Sequence, residues 1–145
     1  MKIRLTKEFD FETAHALDLY AGKCKDIHGH SYHLRVTVIG EPIADECMSD
    51  CGMVIDFGDI KQVVRDFVYE EFDHRLLLKD DSRFKGIEEK NDRVRYVAYH
   101  PTCENMLIEI VTILKEKLPS TVSLHSVFLR ETHTSYAEWF ATDQK

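Results

Sequence analysis

Apolar and polar positions alternate from the start of the chain. Ile3, Leu5, Phe9, Phe11, Thr13, His15 and Leu17 occupy odd positions, with Lys7 the one interruption. A period of two places every second side chain on one face, so a half-buried strand is expected from Lys2 to Leu17. A loop with two glycines follows over Leu19 to Gly29. The alternation then resumes from His30 to Gly40: His30, Tyr32, Leu34, Val36 and Val38 share one face, and His33, Arg35, Thr37 and Ile39 the other. Glu41 to Gly52 reads as a turn.

The period changes after that turn. Ile60, Val63, Val64 and Phe67 fall at i, i+3, i+4 and i+7, which predicts a helix over Asp59 to Phe72 with Asp59 as its cap. Lys79 to Asn91 is charged and polar and is expected to be an exposed loop. A second helix opens at Pro101-Thr102, with Thr102 as N-cap, carries Leu107, Ile110, Val111, Leu114 and Leu118 on one stripe, and ends before Pro119. Ser123 to Glu131 and Ser135 to Ala141 form a hairpin around Thr132-His133-Thr134. The expected order is β-β-α-α-β-β: a four-stranded antiparallel sheet with two helices on one face, of the α+β class. Four strands leave two open edges, which edge-to-edge assembly into a closed oligomer would remove.

Composition narrows the function. The 145 residues suit a single domain over 1–145, and the formal charge of -7 lacks the basic footprint that nucleic acid or an anionic membrane requires. No apolar run approaches a membrane span, and the charged, alternating N-terminus is unlike a signal peptide, so a cytoplasmic protein is expected. Cys24, Cys47, Cys51 and Cys103 are too few and too irregularly spaced for a disulfide framework and are expected to be thiols.

The chemistry concentrates in the histidines. His28-Gly29-His30 places two imidazoles at i and i+2, on the same face of an extended backbone, with His15 on the alternating face of the neighbouring strand. Three imidazoles can converge on one zinc ion and leave a position open for water or substrate, as catalytic sites do. Cys24, four residues before His28, is alternatively a fourth ligand that would close the site. Cys47 and Cys51 are a rival pair, but no second pair with finger-like spacing follows. Lys23 and Lys25 flank Cys24, and neighbouring positive charge favours a thiolate. Asp73-His74, at the end of the first helix, joins a carboxylate to an imidazole it can orient. Glu104, in the first turn of the second helix, suits the helix dipole.

Several stretches together resemble the 6-pyruvoyl-tetrahydropterin synthase / 6-carboxy-tetrahydropterin synthase family: Phe11-Glu12-Thr13-Ala14-His15, Cys24-Lys25-Asp26-Ile27-His28-Gly29-His30, Gly52-Met53-Val54-Ile55-Asp56-Phe57, Phe72-Asp73-His74, Pro101-Thr102-Cys103-Glu104-Asn105 and Arg130-Glu131-Thr132. They span nearly the whole chain. The resemblance implies a tunnelling fold assembled as a homo-oligomer, usually a homohexamer, and zinc held by His15, His28 and His30. It implies a proton-transfer set of Cys24, Asp73 and His74, assembled across a subunit interface. Glu131 would anchor the pterin ring, in a pocket lined by Thr102 and Glu104, and the substrate would be 7,8-dihydroneopterin triphosphate. Ile55-Asp56-Phe57 looks more like the queuosine-pathway branch, which makes 6-carboxy-tetrahydropterin, than the biopterin branch, which makes 6-pyruvoyl-tetrahydropterin. Phe72 stands where the family usually has Leu, and Leu78 to His100 is longer than in compact relatives. A cysteine hydrolase would leave the three strand histidines without a task, and a non-catalytic zinc or pterin-binding module would make Cys24 dispensable.

Overall fold

A computed structural model describes residues 1–144. Strands β1 (Ile3–His15) and β2 (His28–Gly40) pair antiparallel along their whole length, from Ile3 opposite Gly40 to His15 opposite His28. The period-two faces are those expected. Phe9, Phe11, Tyr32, Leu34, Val36 and Val38 are buried, and the Phe11 ring stacks on Tyr32 with centroids 5.4 Å apart.

The first helix, α1, covers residues 57–72 and starts earlier than expected. Asp56, not Asp59, is its N-cap, and its side chain accepts a hydrogen bond from the Gly58 N–H at 2.6 Å. The helix is regular over Phe57–Val63, widens to a π-helix over Val64–Tyr69 and closes with Glu70–Phe72. The wider turn rotates the inward face by about one residue. Val68 is therefore fully buried where the uniform helical period pointed to Phe67, which is 38% exposed.

The sheet departs from the expected four antiparallel strands. It has six, in the order β4-β3-β1-β2-β5-β6, and is mixed. The two additional strands are β3 (Arg75–Lys79), parallel to β1, and β4 (Val94–Val97), parallel to β3. Neither shows clean alternation, because both faces of this corner are covered. Leu77 faces the main core, while Leu76 and Leu78 join Ala16 in a second cluster roofed by Phe84, Ile87, Val94 and Tyr96. A strand buried on both sides is a continuous apolar run, and three leucines are too short a run to identify alone. The 80–93 connection is largely exposed, as expected, with a short 3-10 turn at Ile87–Lys90, yet it supplies that roof.

Helix α2 (Cys103–Lys117) begins where its cap predicts: Thr102 Oγ1 accepts from the Asn105 N–H at 3.3 Å. Both helices lie over the same sheet face. Ile60, Val64, Val68 and Phe72 of α1 and Met106, Ile110 and Leu114 of α2 are fully buried in one cluster with the inward residues of β1, β2 and β5. The hairpin of β5 (Ser123–Thr132) and β6 (Ser135–Phe140) turns at His133-Thr134. Pairing of β5 with β2 shifts at Thr37/Val38, and skipping His125 there lets Leu124, Val127 and Leu129 all point inward. Among the described residues no helix is long and apolar enough to cross a membrane.

Candidate metal centre

The inward face of the β1–β2 pair changes character at one end. Phenylalanine, tyrosine and aliphatic residues give way to Thr13, His15, His28 and His30, the polar continuation of the same alternation. His15 and His28 are direct cross-strand partners, and His30 lies two residues further along β2 on the same side. The ring centroids are 4.5–5.2 Å apart, and one nitrogen of each residue lies within 4.8 Å of the others. This is the one such group of three or more metal-binding side chains among the described residues.

The outer nitrogens settle the tautomers. His15 Nδ1 is 2.6 Å from the carbonyl of Pro101 and His28 Nδ1 is 2.8 Å from that of Asp26. A carbonyl only accepts, so both Nδ1 atoms donate and the neutral rings keep a lone pair on Nε2. Those two Nε2 atoms face each other at 3.0 Å. Two lone pairs so close repel unless a cation lies between them. Tetrahedral zinc with Zn–N bonds of 2.0–2.1 Å spaces its ligand nitrogens by about 3.3 Å. Burial lowers the pKa of His15 and of His30, against the raising effect of Glu131, which favours the neutral form a metal needs. The three side chains therefore fit a divalent metal.

Glu131, on β5, adjoins this group. Its Oε1 is 3.7 Å from His15 Nε2 and 4.0 Å from His30 Nε2, and it accepts a 2.8 Å hydrogen bond from Tyr32 OH. Burial and the neighbouring carboxylate push the Tyr32 phenol far above its ordinary range, so it remains a donor to Glu131. The sequence placed Tyr32 on the histidine face, two residues after His30, without revealing that it would hold the glutamate. Glu131 also lines a cavity of ≈ 310 Å³ with Thr102, Glu104, Cys103, Tyr20 and Tyr136. The three residues expected to contact substrate thus line one cavity beside the histidines. Cys103 is half-buried, with its thiol pushed up to about 12 by desolvation and by Glu131 and Glu104.

Cys24 sits on a short 3-10 turn, Lys23–Lys25, in the loop that joins His15 to His28. The residue is half-buried and near enough to Tyr32 for a charge there to raise the phenol's pKa. Cys47 and Cys51 are exposed and belong to no such group.

Asp73 and His74 are not brought to this group within the chain. Asp73 Oδ1 accepts from the Glu12 N–H at 3.0 Å and lies 3.0 Å from His74 Nδ1, so the carboxylate does orient the imidazole. His74 adopts a φ of 56°, rare for a residue with a side chain, and its N–H donates to the Glu12 carbonyl at 2.6 Å. Arg93 fixes this corner by donating to the carbonyls of both Asp73 and His74. His74 lines a second concavity, of ≈ 420 Å³, with Glu12, Ser31, Asn91 and Arg93, and His30 borders it as well. Glu12 and Ser31 project from the sheet face opposite His15 and His30 and are hydrogen-bonded to each other at 2.8 Å.

Comparisons with known proteins place the chain in a family. Residues 4–141 match the family model described as 6-pyruvoyl tetrahydropterin synthase. The chain is 30% identical over 141 residues to the 6-carboxy-5,6,7,8-tetrahydropterin synthase of Haemophilus influenzae, covering 94% of this chain and 97% of that protein. It is 36% identical over 135 residues to the protein of the same name from Synechocystis, covering 93% and 91%. Among solved structures, an uncharacterized protein from Wolinella succinogenes superposes with a TM-score of 0.79 at 22% identity, over 97% of this chain and 99% of that one. The 6-pyruvoyl tetrahydropterin synthase of Caenorhabditis elegans superposes with a TM-score of 0.70 at 23% identity, over 97% and 96%.

Proposed function

Because the chain belongs to the 6-pyruvoyl tetrahydropterin synthase family, we propose that it is a lyase that converts 7,8-dihydroneopterin triphosphate and water to 6-carboxy-5,6,7,8-tetrahydropterin, triphosphate and acetaldehyde, a step of queuosine biosynthesis. The observation that carries this reading is the meeting of two features at one sheet end: three neutral imidazoles able to hold a metal, and a cavity lined by Glu131, Thr102 and Glu104. Relatives at 30–36% identity over most of the chain bear the 6-carboxy name. The likeness to 6-pyruvoyl enzymes of known structure is at 22–23% identity and supports the fold.

His15, His28 and His30 would hold zinc, which when bound acidifies the substrate side chain and offsets developing negative charge on its oxygens. Glu131, held by Tyr32, accepts N–H bonds from the aminopyrimidinone edge and fixes the ring. Cys24, on the same side, takes or returns a proton on one flank of the side chain. His74, oriented by Asp73, does so on the other.

His74 packs against Glu12 and Arg93 and is not part of its own chain's group of three histidines, so this set is read as completed by His74 of a second copy. That, with strand edges open at β4 and β6, supports a closed homo-oligomer, with a homohexamer as the family's usual form. The test is incubation with 7,8-dihydroneopterin triphosphate and identification of the product by mass. A 6-carboxy-tetrahydropterin product supports the reading, a 6-pyruvoyl product moves the protein to the sister activity, and no turnover refutes both. A fully active monomer in light scattering would refute the shared site.

A further inference from the structure

The 80–93 connection does more than roof the second apolar cluster. It sends Arg83 across to the loop of residues 16–27, the loop that joins His15 to His28 and carries Cys24. Arg83 Nη2 donates to the Lys25 carbonyl at 2.9 Å and to Asp26 Oδ1 at 2.7 Å, while its Nε lies 3.3 Å from Asp18 Oδ1. One guanidinium therefore grips both the outgoing and the returning strand of the loop. Its carbon sits 4.4 Å from the centroid of the Phe84 ring, which is itself anchored in the second cluster. Asp18 is 14% exposed and its carboxylate oxygens have no hydrogen-bond partner of good geometry, so Arg83 is the counter-charge beside it.

The gripped atoms lead to the site by short paths. The Asp26 carbonyl accepts the His28 Nδ1–H, and the Cys24 carbonyl accepts the Leu17 N–H at 2.9 Å across the neck of the loop. Lys23 and Lys25 share the loop but neither takes part in an ion pair among the described residues. We infer that Arg83 is a positioning residue, which clasps the neck of the 16–27 loop and so holds Cys24 and the His28 ring where proton transfer and metal binding need them. This rests on the roles given above to Cys24 and His28.

A half-exposed ion pair contributes little to global stability, so the effect belongs in placement rather than folding. The planar guanidinium donates two hydrogen bonds through Nη2 while its Nε side faces Asp18, an arrangement that the single ammonium of lysine does not reproduce. A small misplacement of a reacting group costs up to roughly 10²-fold in rate. Arg83→Ala is therefore expected to lower kcat by about 10–10²-fold with KM and thermal midpoint nearly unchanged, and Arg83→Lys to recover only part of the loss.

A second readout is independent of turnover. Iodoacetamide labelling of Cys24, in a Cys47→Ser/Cys51→Ser background where the raised pKa of Cys103 keeps that thiol slow, should accelerate in Arg83→Ala as the loop loosens. Unchanged kcat and unchanged Cys24 labelling would overturn the proposal. A rise in KM at constant kcat, restored by Arg83→Lys, would also overturn it, by making Arg83 a contact for the anionic substrate. Full turnover by Cys24→Ala would sink the assumed role of Cys24, while the labelling rate would still report whether Arg83 holds the loop.

Discussion

Replacing Glu131 by Gln tests its proposed role as substrate anchor with minimal change of shape. The Tyr32 hydroxyl donates to Glu131 at 2.8 Å, and an amide oxygen can accept that bond equally well. The amide NH₂ is then turned toward the pterin, a donor where the ring edge needs an acceptor. The variant loses one charge-assisted hydrogen bond, worth about 1.5–3 kcal/mol. The Glu131 side chain is 23% exposed, so solvent screening places the effect in the lower half of that range. That converts to a rise of roughly 10–40-fold in KM for 7,8-dihydroneopterin triphosphate. Zinc content should not change, because Glu131 is not part of the His15, His28 and His30 group that could hold a metal. Steady-state kinetics, equilibrium binding of an unreactive pterin and elemental analysis on the same preparation give all three quantities. Unaltered KM and pterin affinity would refute the anchoring role, and loss of zinc would show that Glu131 belongs to the metal centre instead.

The other predictions concern the metal, the base and the fold. His28→Ala should lose most of the roughly one zinc per chain found by elemental analysis, and full retention would overturn the ligand assignment. Cys24→Ala should keep its zinc and its pterin affinity while turnover falls by about 10²–10⁴-fold; unchanged turnover would leave the proton transfer to Asp73-His74, and zinc loss would make Cys24 a ligand. Leu77, fully buried in β3, should cost about 2–5 kcal/mol when cut to Ala, measured by denaturant unfolding at fixed protomer concentration; a cost under about 1 kcal/mol would contradict the placement of that strand in the main core.

Legibility followed periodicity. β1, β2, α2 and the β5–β6 hairpin were readable because each buries one face and leaves the other wet, so burial writes a period of two or 3.6 into the sequence. The ends were off by a residue or two, as at Ile3–His15 against Lys2 to Leu17. The π-turn of α1 breaks the rule without changing composition, so the uniform period points Phe67 inward where the structure buries Val68. β3 and β4 left no period at all, since Leu76, Leu77 and Leu78 find apolar partners on both sides.

The site divides in the same way. The convergence of His15, His28 and His30 is written into the chain locally, because strand alternation fixes which side chains share a face and His28-Gly29-His30 is contiguous. The cap at Thr102 likewise fixes where α2 begins beside the cavity. Tertiary packing alone brings the Tyr32 hydroxyl to Glu131, far away in the chain, holds Asp73 and His74 against Glu12 and Arg93 outside the group of three histidines, and closes the Cys24 loop with Arg83. Each of these depends on the register between segments distant in sequence. Register is set by packing summed over a whole sheet and its helices, and no short stretch of residues records it.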